Sequence, residues 1–245
     1  MNIIKLNAID STNSYIKKNA IKNNFESYTV VVAEKQLNGR GQMGTIWESE
    51  LGKNLTFSIL INFNKFNITQ QFYLSMAISL GVIAVLKQLF NSSFFIKWPN
   101  DILAEKDKVA GILIENSING SFIKNSVIGI GLNVNQEVFS DAIENVTSLK
   151  NISKKNLDRD ALLIEIINSI NYYVDFIDRK EFDSLKVLYM KYLYKYKVPA
   201  MFTDKEGIVF LGKIVDVSFE GQLVIELENE KTRKFNLKEI KFASR

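Results

Sequence analysis

Residues 69–90 carry apolar side chains on every side of a helical period, with no charge between Phe72 and Leu86. A helix that is apolar all round has no face to give to water, so it must lie at the centre of a layered fold. Its charge-free part falls short of the ~20 residues that a membrane span needs. The start, Met1-Asn2-Ile3-Ile4-Lys5, lacks the basic-then-apolar pattern of a secretory signal. Both features point to the cytoplasm.

The shell around that helix is legible in outline. Residues 28–33, 55–61, 94–98, 108–115 and 126–133 are short and β-branched or apolar, and read as buried strands. Residues 14–21 follow the N-cap cluster Asp10-Ser11-Thr12-Asn13 and read as a helix. Residues 157–177 place Leu163, Ile166, Ile167, Ile170, Val174 and Ile177 on one helical face, and residues 182–194 continue as helix. After Pro199, Gly207, Gly212 and Gly221 punctuate the short β-rich runs 208–217, 223–227 and 232–235. The expectation is an α+β chain: a mixed sheet flanked by helices over residues 1–195, then a small SH3-like β-barrel over residues 196–245.

The chain has neither cysteine nor histidine in 245 residues. Disulfides, thiolate nucleophiles, Cys-ligated metals, Ser-His-Asp triads, imidazole bases and almost every zinc or non-haem iron site are thereby excluded. Chemistry falls to Lys, Arg, Asp, Glu, amides, hydroxyls and backbone, with a hard cation such as Mg²⁺ the only metal in keeping. The net charge of +4 is made of 31 basic and 27 acidic side chains, interspersed and without a nucleic-acid-like tail.

Four segments carry chemistry. In the polar loop 34–50, Gly39, Gly41 and Gly44 form G-x-G-x-x-G around Arg40 and end at Trp47. Such glycines let backbone N–H groups turn to an anion, while Arg suits a phosphate and Trp an adenine face. The dinucleotide fingerprint fails, because residues 45–49 start no helix and no acidic strand end follows about 20 residues on. The second segment is Lys97-Trp98-Pro99-Asn100-Asp101, where proline ends a strand and gathers polar groups at its terminus. The third is Lys108-Val109-Ala110-Gly111-Ile112-Leu113-Ile114-Glu115, a lysine at the head of an apolar strand. The fourth, Gly129-Ile130-Gly131-Leu132-Asn133, bares one face of a strand, either to a ligand or to a closely packed neighbour.

In order and spacing, this series resembles the biotin–protein ligase family: Ser-Thr-Asn, a Gly-Arg-Gly loop ending in Trp, Lys-Trp-Pro-Asn-Asp, Lys-x-Ala-Gly-Ile-Leu-x-Glu, then Gly-x-Gly-x-Asn. The match runs over residues 10 to 135. The resemblance implies a class II aminoacyl-tRNA-synthetase-like catalytic domain with an SH3-like appendage. It also implies an ATP-dependent ligase that makes biotinyl-AMP and passes biotin to a lysine of a biotin carboxyl carrier protein. It assigns Ser11, Thr12 and Gln36 to the biotin ring, with Asn13 completing the motif, and Gly39, Arg40, Gly41, Gln42, Lys108, Gly129 and Gly131 to the rest of the biotin site. Arg40, Trp47, Lys97, Asn100, Lys108 and Asn133 go to ATP, and Lys108, Arg40 and Asp101 to catalysis, with Mg²⁺ arriving with ATP near Asp101.

Two departures stand out. Many family members carry further loop arginines where this chain has Gln42, Met43 and Thr45, which makes Lys53 or Lys97 the expected compensation. The regulatory members begin with a DNA-binding domain, and Ser11-Thr12-Asn13 sits too near residue 1 for one, so no operator binding or membrane partner is expected; a homodimer is left open. Among rivals, octanoyl transfer through a thioester is excluded by the absence of cysteine, and a lipoate ligase lacks the Lys-Trp-Pro-Asn-Asp series. A biotin-binding module without catalysis would have no use for Lys108 and Arg40.

Overall fold

The computed structural model describes residues 2–140 and 144–243. A seven-stranded sheet forms the larger layer, from β1 (Asn2–Ile9), β2 (Thr29–Gln36), β3 (Leu55–Asn67), β4 (Phe94–Lys97), β5 (Asp101–Ala104), β6 (Asp107–Asn119) and β7 (Phe122–Leu132). The strand order is β1-β2-β3-β7-β6-β5-β4, with β1 and β2 parallel and every other pair antiparallel.

The helices are α1 (Thr12–Asn19), α2 (Gln71–Leu89), α3 (Leu149–Ser153), α4 (Arg159–Asp178) and α5 (Phe182–Tyr192). The apolar segment is α2 and its preceding turn. Ile68–Leu89 is long and apolar enough, by length and composition alone, to cross a membrane, yet 72% of its most apolar window is buried inside the fold. Helix α4 crosses α2 so closely that a Cβ on Gly81 would lie 2.7 Å from Ile170 Cγ1. Asp158 caps α4 by accepting the N–H groups of Asp160 and Ala161, leaving the predicted apolar stripe to face α2.

The two faces of the sheet are covered unequally, and alternation along the strands sets which residue goes where. Val30 and Val32 join the main core under α2 and α4, whereas Val31, Leu60 and Val127 pack with Ile16 of α1 in a smaller core on the opposite face. Two residues along from those positions the side chains shrink to Ser58 and Gly129. The register then lines up Thr56, Gly131, Gly111 and Asp101 across four strands. Small residues beside large ones leave a trough on the α1 face.

The C-terminal strands β8 (Pro199–Asp204), β9 (Val209–Val217), β10 (Leu223–Leu227), β11 (Thr232–Phe235) and β12 (Ile240–Phe242) form a five-stranded antiparallel sheet, ordered β11-β10-β9-β8-β12. Its Phe202, Ile214, Val217, Leu223 and Ile225 belong to the same apolar cluster as α2, and Trp98 Nε1 donates to Gly221 O at 2.9 Å. Strands β1, β5, β8 and β12 were not expected from the sequence, and β2 runs three residues into the expected loop. Helix α5 stops at Tyr192, because Leu193 turns to extended geometry and bridges to Ile96 on β4.

Candidate functional site

The trough is a cavity of about 250 Å³, lined by residues from all four chemistry-bearing segments. Ser11, Thr12, Asn13 and Gln36 stand at one end, Asn100, Asp101 and Lys108 at the other. Arg40, Gly41, Gln42, Thr45, Ile46 and Trp47 cover the opening, and Gly111, Gly129 and Gly131 form the floor. Leu237, from the C-terminal part, adds to the wall.

The first end is built on the start of α1. Ser11 holds the N-cap position with φ −156° and ψ 134°, but its hydroxyl makes no cap bond although the residue is buried. The capping expectation therefore fails for its side chain, which is left to the cavity. Thr12 donates its backbone N–H to Gln36 Oε1 at 2.9 Å. Ser58, fully buried on β3, places its hydroxyl 2.6 Å from Thr12 Oγ1 and 2.5 Å from Asn13 Oδ1. Asn13 Nδ2 donates in turn to Glu115 Oε2 at 2.9 Å.

At the other end, a bulge between Ile102 and Leu103 shifts the β5–β6 register and brings Lys108 back over Gly111. Lys108 Nζ lies 2.7 Å from Asp101 Oδ1 and 5.7 Å from the Trp47 ring centroid. Its backbone is clamped, N–H to Asn145 O at 2.6 Å and C=O from Thr147 N–H at 2.9 Å. Asn100 ties β6 to the hairpin, donating Nδ2 to Ile112 O at 2.7 Å and accepting the Ile112 N–H.

The loop closes on itself through Gly41 N–H to Thr45 O and Trp47 N–H to Gly39 O. This lays the indole against Gly131 and Gly111. A Cβ on Gly131 would collide with the ring, and one on Gly111 would lie 3.2 Å from it. The bare strand face is thus filled by protein: Trp47 over Gly131, and Asn13 over Gly129, where a Cβ would stand 2.5 Å from Oδ1. Buried Trp47 Nε1 and Gln42 Oε1 have no hydrogen-bond partner.

Arg40 Nη2 contacts Ser14 Oγ at 3.0 Å and Glu115 Oε2 at 3.3 Å, so its charge enters the cavity from the Asn13 side. Glu115 also meets Lys17 at 2.9 Å. Burial pushes its carboxyl up, but hydrogen bonds from Lys17 and Asn13 and the charges of Arg40 and Lys17 outweigh this and hold it below the usual range.

Three sequence-assigned residues lie off this cavity. Gly39 lines an adjoining hollow with Arg40 and Glu115. Asn133 is buried, and its Nδ2 donates to Thr147 O at 3.0 Å, which steadies the segment that clamps Lys108. Lys97 turns into a separate cleft against the C-terminal sheet, with Nζ 6.0 Å from the Phe242 ring centroid. Neither Lys97 nor Lys53 lines the main cavity, so the expected replacement of the missing loop arginines does not appear there. Sequence reasoning missed Ser58, Ser14 and Leu237, and assigned Glu115 no role. A hydroxyl on the inward face of the apolar run Phe57-Ser58-Ile59 was the available signal for Ser58.

The sequence profile of the biotin/lipoate A/B protein ligase family matches residues 6–133. The bifunctional ligase/repressor BirA of Bacillus subtilis is 30% identical over 216 residues, covering 86% of this chain and 65% of that protein. The biotin–[acetyl-CoA-carboxylase] ligase of Mycobacterium tuberculosis is 32% identical over 147 residues, covering 58% of this chain and 52% of its own. This chain thus spans less than two thirds of the length of these curated relatives. Among solved structures, the Aquifex aeolicus biotin protein ligase in complex with biotin and ATP superposes with a TM-score of 0.82 at 27% identity, over 99% of both chains. The chain therefore belongs to the biotin/lipoate A/B protein ligase family.

Proposed function

We propose that this chain is a biotin protein ligase, which condenses biotin with ATP to biotinyl-AMP and passes the biotinyl group to one lysine of a biotin carboxyl carrier protein. The observation that carries this reading is the meeting, in one cavity, of the hydroxyl–amide end at Ser11, Thr12, Asn13 and Gln36 with the Lys108–Asp101 pair under Trp47. A urea-like ring needs both donors and acceptors, which the first end offers. Two anions brought together need fixed positive charge, which Arg40 and Lys108 offer.

In the first step the biotin carboxylate attacks the α-phosphorus of ATP and pyrophosphate leaves. A carboxylate is already a nucleophile, so neither imidazole nor thiol is required, and catalysis is positioning and charge neutralisation. Lys108 offsets charge at the reacting phosphate and Arg40 at the carboxylate, with Trp47 facing the adenine and Asn100 fixing the hairpin that carries Asp101. In the second step the carrier amine attacks the mixed anhydride carbonyl and AMP leaves. Asp101, paired with Lys108 at 2.7 Å, is the carboxylate placed to orient that amine or take its proton.

Among the described residues, no three Asp, Glu, His or Cys side chains gather as a metal site, and Asp101 is already paired with Lys108. These residues do not form a cage for Mg²⁺, which would be held by the nucleotide's own phosphates. Residues 1–195 are assigned to catalysis and residues 196–245 to the SH3-like part, a division supported by the two separate sheets.

The test is pyrophosphate release with biotin, lipoate and octanoate supplied in turn with ATP. Release that depends on biotin alone is expected. Release with lipoate or octanoate and none with biotin would move the chain to the other side of its family.

A further inference from the structure

The groups at the ring end form a chain whose direction follows from counting protons. Ser58 Oγ lies 2.5 Å from Asn13 Oδ1 and 2.6 Å from Thr12 Oγ1, and Thr12 Oγ1 lies 3.1 Å from Gln36 Oε1. These contacts share only two hydroxyl protons, because amide oxygens cannot donate. Oxygens 2.5 and 2.6 Å apart need a proton between them, so the 3.1 Å contact to Gln36 Oε1 is the one left without. Ser58 then donates to Asn13, and Thr12 donates to Ser58. Both protons point toward Asn13, and Thr12 Oγ1 shows only lone pairs to the cavity.

That direction depends on the Asn13 amide. Its Nδ2 faces Glu115 Oε2 at 2.9 Å and Leu113 O at 3.4 Å, both acceptors, so the amide cannot turn round. Lys17 and Arg40 keep Glu115 an anion, and therefore an acceptor. With a carboxamide at position 115 only the longer Leu113 O contact still opposes a turn of the amide. Asn13 could then donate to Ser58, Ser58 to Thr12 and Thr12 to Gln36, which reverses the chain.

The geometry points to Glu115 as a positioning residue whose carboxylate sets the direction of the Asn13–Ser58–Thr12 chain, so that Thr12 offers an acceptor to a ring N–H while Gln36 Nε2 offers donors to the ring carbonyl. This rests on the reading of the cavity as a biotin site, and it adds a specificity device at a residue that touches no substrate atom. The same carboxylate holds Arg40, so loop and ring pocket share one anchor.

The experiment measures biotinamide affinity by calorimetry at neutral pH. The uncharged tail of this probe removes the direct pull of Arg40 and Lys108. Glu115→Gln is expected to weaken binding at least about tenfold, the usual scale for a mispaired buried polar group. Asn13→Asp alone sets two carboxylates side by side and also weakens it. The double variant Glu115→Gln with Asn13→Asp exchanges carboxylate and carboxamide, and restores an acceptor toward Ser58. Its affinity is expected to return to within about threefold of wild type, a non-additivity that simple loss of packing does not produce.

Wild-type affinity in Glu115→Gln, or a double variant no better than the weaker single one, would overturn the proposal. If circular dichroism shows Glu115→Gln unfolded, Ser58→Ala breaks the chain at its middle and carries the same tenfold expectation, with unchanged affinity the contrary result. If wild type binds neither biotin nor biotinamide, the biotin reading itself fails, which is a separate outcome.

Discussion

Lys108 Nζ and Asp101 Oδ1 stand 2.7 Å apart across neighbouring strands, at the end of the cavity beside Trp47. The lysine is held there by a β-bulge and by backbone bonds to Asn145 and Thr147. A cation that is placed before the phosphate arrives costs no reorganisation during the reaction. Lys108→Ala is therefore expected to slow biotin-dependent pyrophosphate release by on the order of a hundredfold or more, about 3 kcal/mol of transition-state stabilisation. Arg40→Ala should lose a comparable factor. Near-normal turnover in both variants would remove them from the catalytic assignment.

The second half-reaction separates Asp101 from Lys108. Asp101→Asn keeps a hydrogen-bonding oxygen near Lys108 but removes the negative charge offered to the incoming amine. Transfer from preformed biotinyl-AMP to a carrier domain is expected to slow by about 10²-fold or more, the lower end of general-base effects. Transfer at the wild-type rate, followed by single-turnover quench, would exclude Asp101 from that step.

Gly131 is the floor on which the Trp47 indole lies. Any β-carbon there would collide with the ring, so Gly131→Ala must displace the tryptophan. The expected result is a raised KM for ATP with the KM for biotin changed much less, because the ring-end groups sit over Gly129 instead. In a Trp47→Ala background the same glycine change should add little, since the two act through one contact. Additive effects would mean that Gly131 serves something other than the indole.

Stability has its own pH signature through Glu115. Its folded carboxyl lies below the ordinary glutamate range, because the Lys17 and Asn13 hydrogen bonds and the Arg40 charge outweigh burial. A depressed carboxylate contributes stability that is complete above the unfolded value and is lost as pH falls through the folded one. Thermal melts should therefore show Glu115→Gln less stable than wild type at neutral pH, with the gap closing in acid below the ordinary glutamate range. A gap that is constant with pH would contradict the ion-pairing account.

Tyr189 offers a change in the opposite direction. Its ring is fully buried on α5, edge-on to Phe72, and its hydroxyl has no partner. Tyr189→Phe removes an unsatisfied polar atom and keeps the ring, so it should raise stability by about 1 kcal/mol. Urea titration at constant m-value would read this, and destabilisation would point to an ordered water on the hydroxyl.

What the sequence revealed follows the strength of each local signal. Helix α2 was visible because a stretch without polar residues has one comfortable place, and α4 because its stripe repeats at helical spacing. Strand β1 was not, because an edge strand with polar residues at Asn2, Lys5 and Asn7 lacks the pattern of a buried one. Strand β5 is only four residues long and starts directly after the polar turn at Pro99-Asn100, which masks its pattern. The four motifs converge as their order implied, yet side-chain direction was not legible. Lys97 and Asp101 are partners in register but open to different cavities, because the C-terminal sheet packs against the hairpin and draws Lys97 toward Phe242. The bare face at Gly129 and Gly131 announced close approach without saying that Asn13 and Trp47 were what approached. Ser58 was hidden among apolar neighbours.

A crystal structure of this chain with biotin and ATP would show whether the four motifs hold both substrates in one cavity. The ring is expected at Ser11, Thr12 and Gln36, the adenine against Trp47, and the new anhydride between Arg40 and Lys108. Nucleotide density in the Lys97–Phe242 cleft, with the Lys108–Asp101 pair untouched, would contradict it.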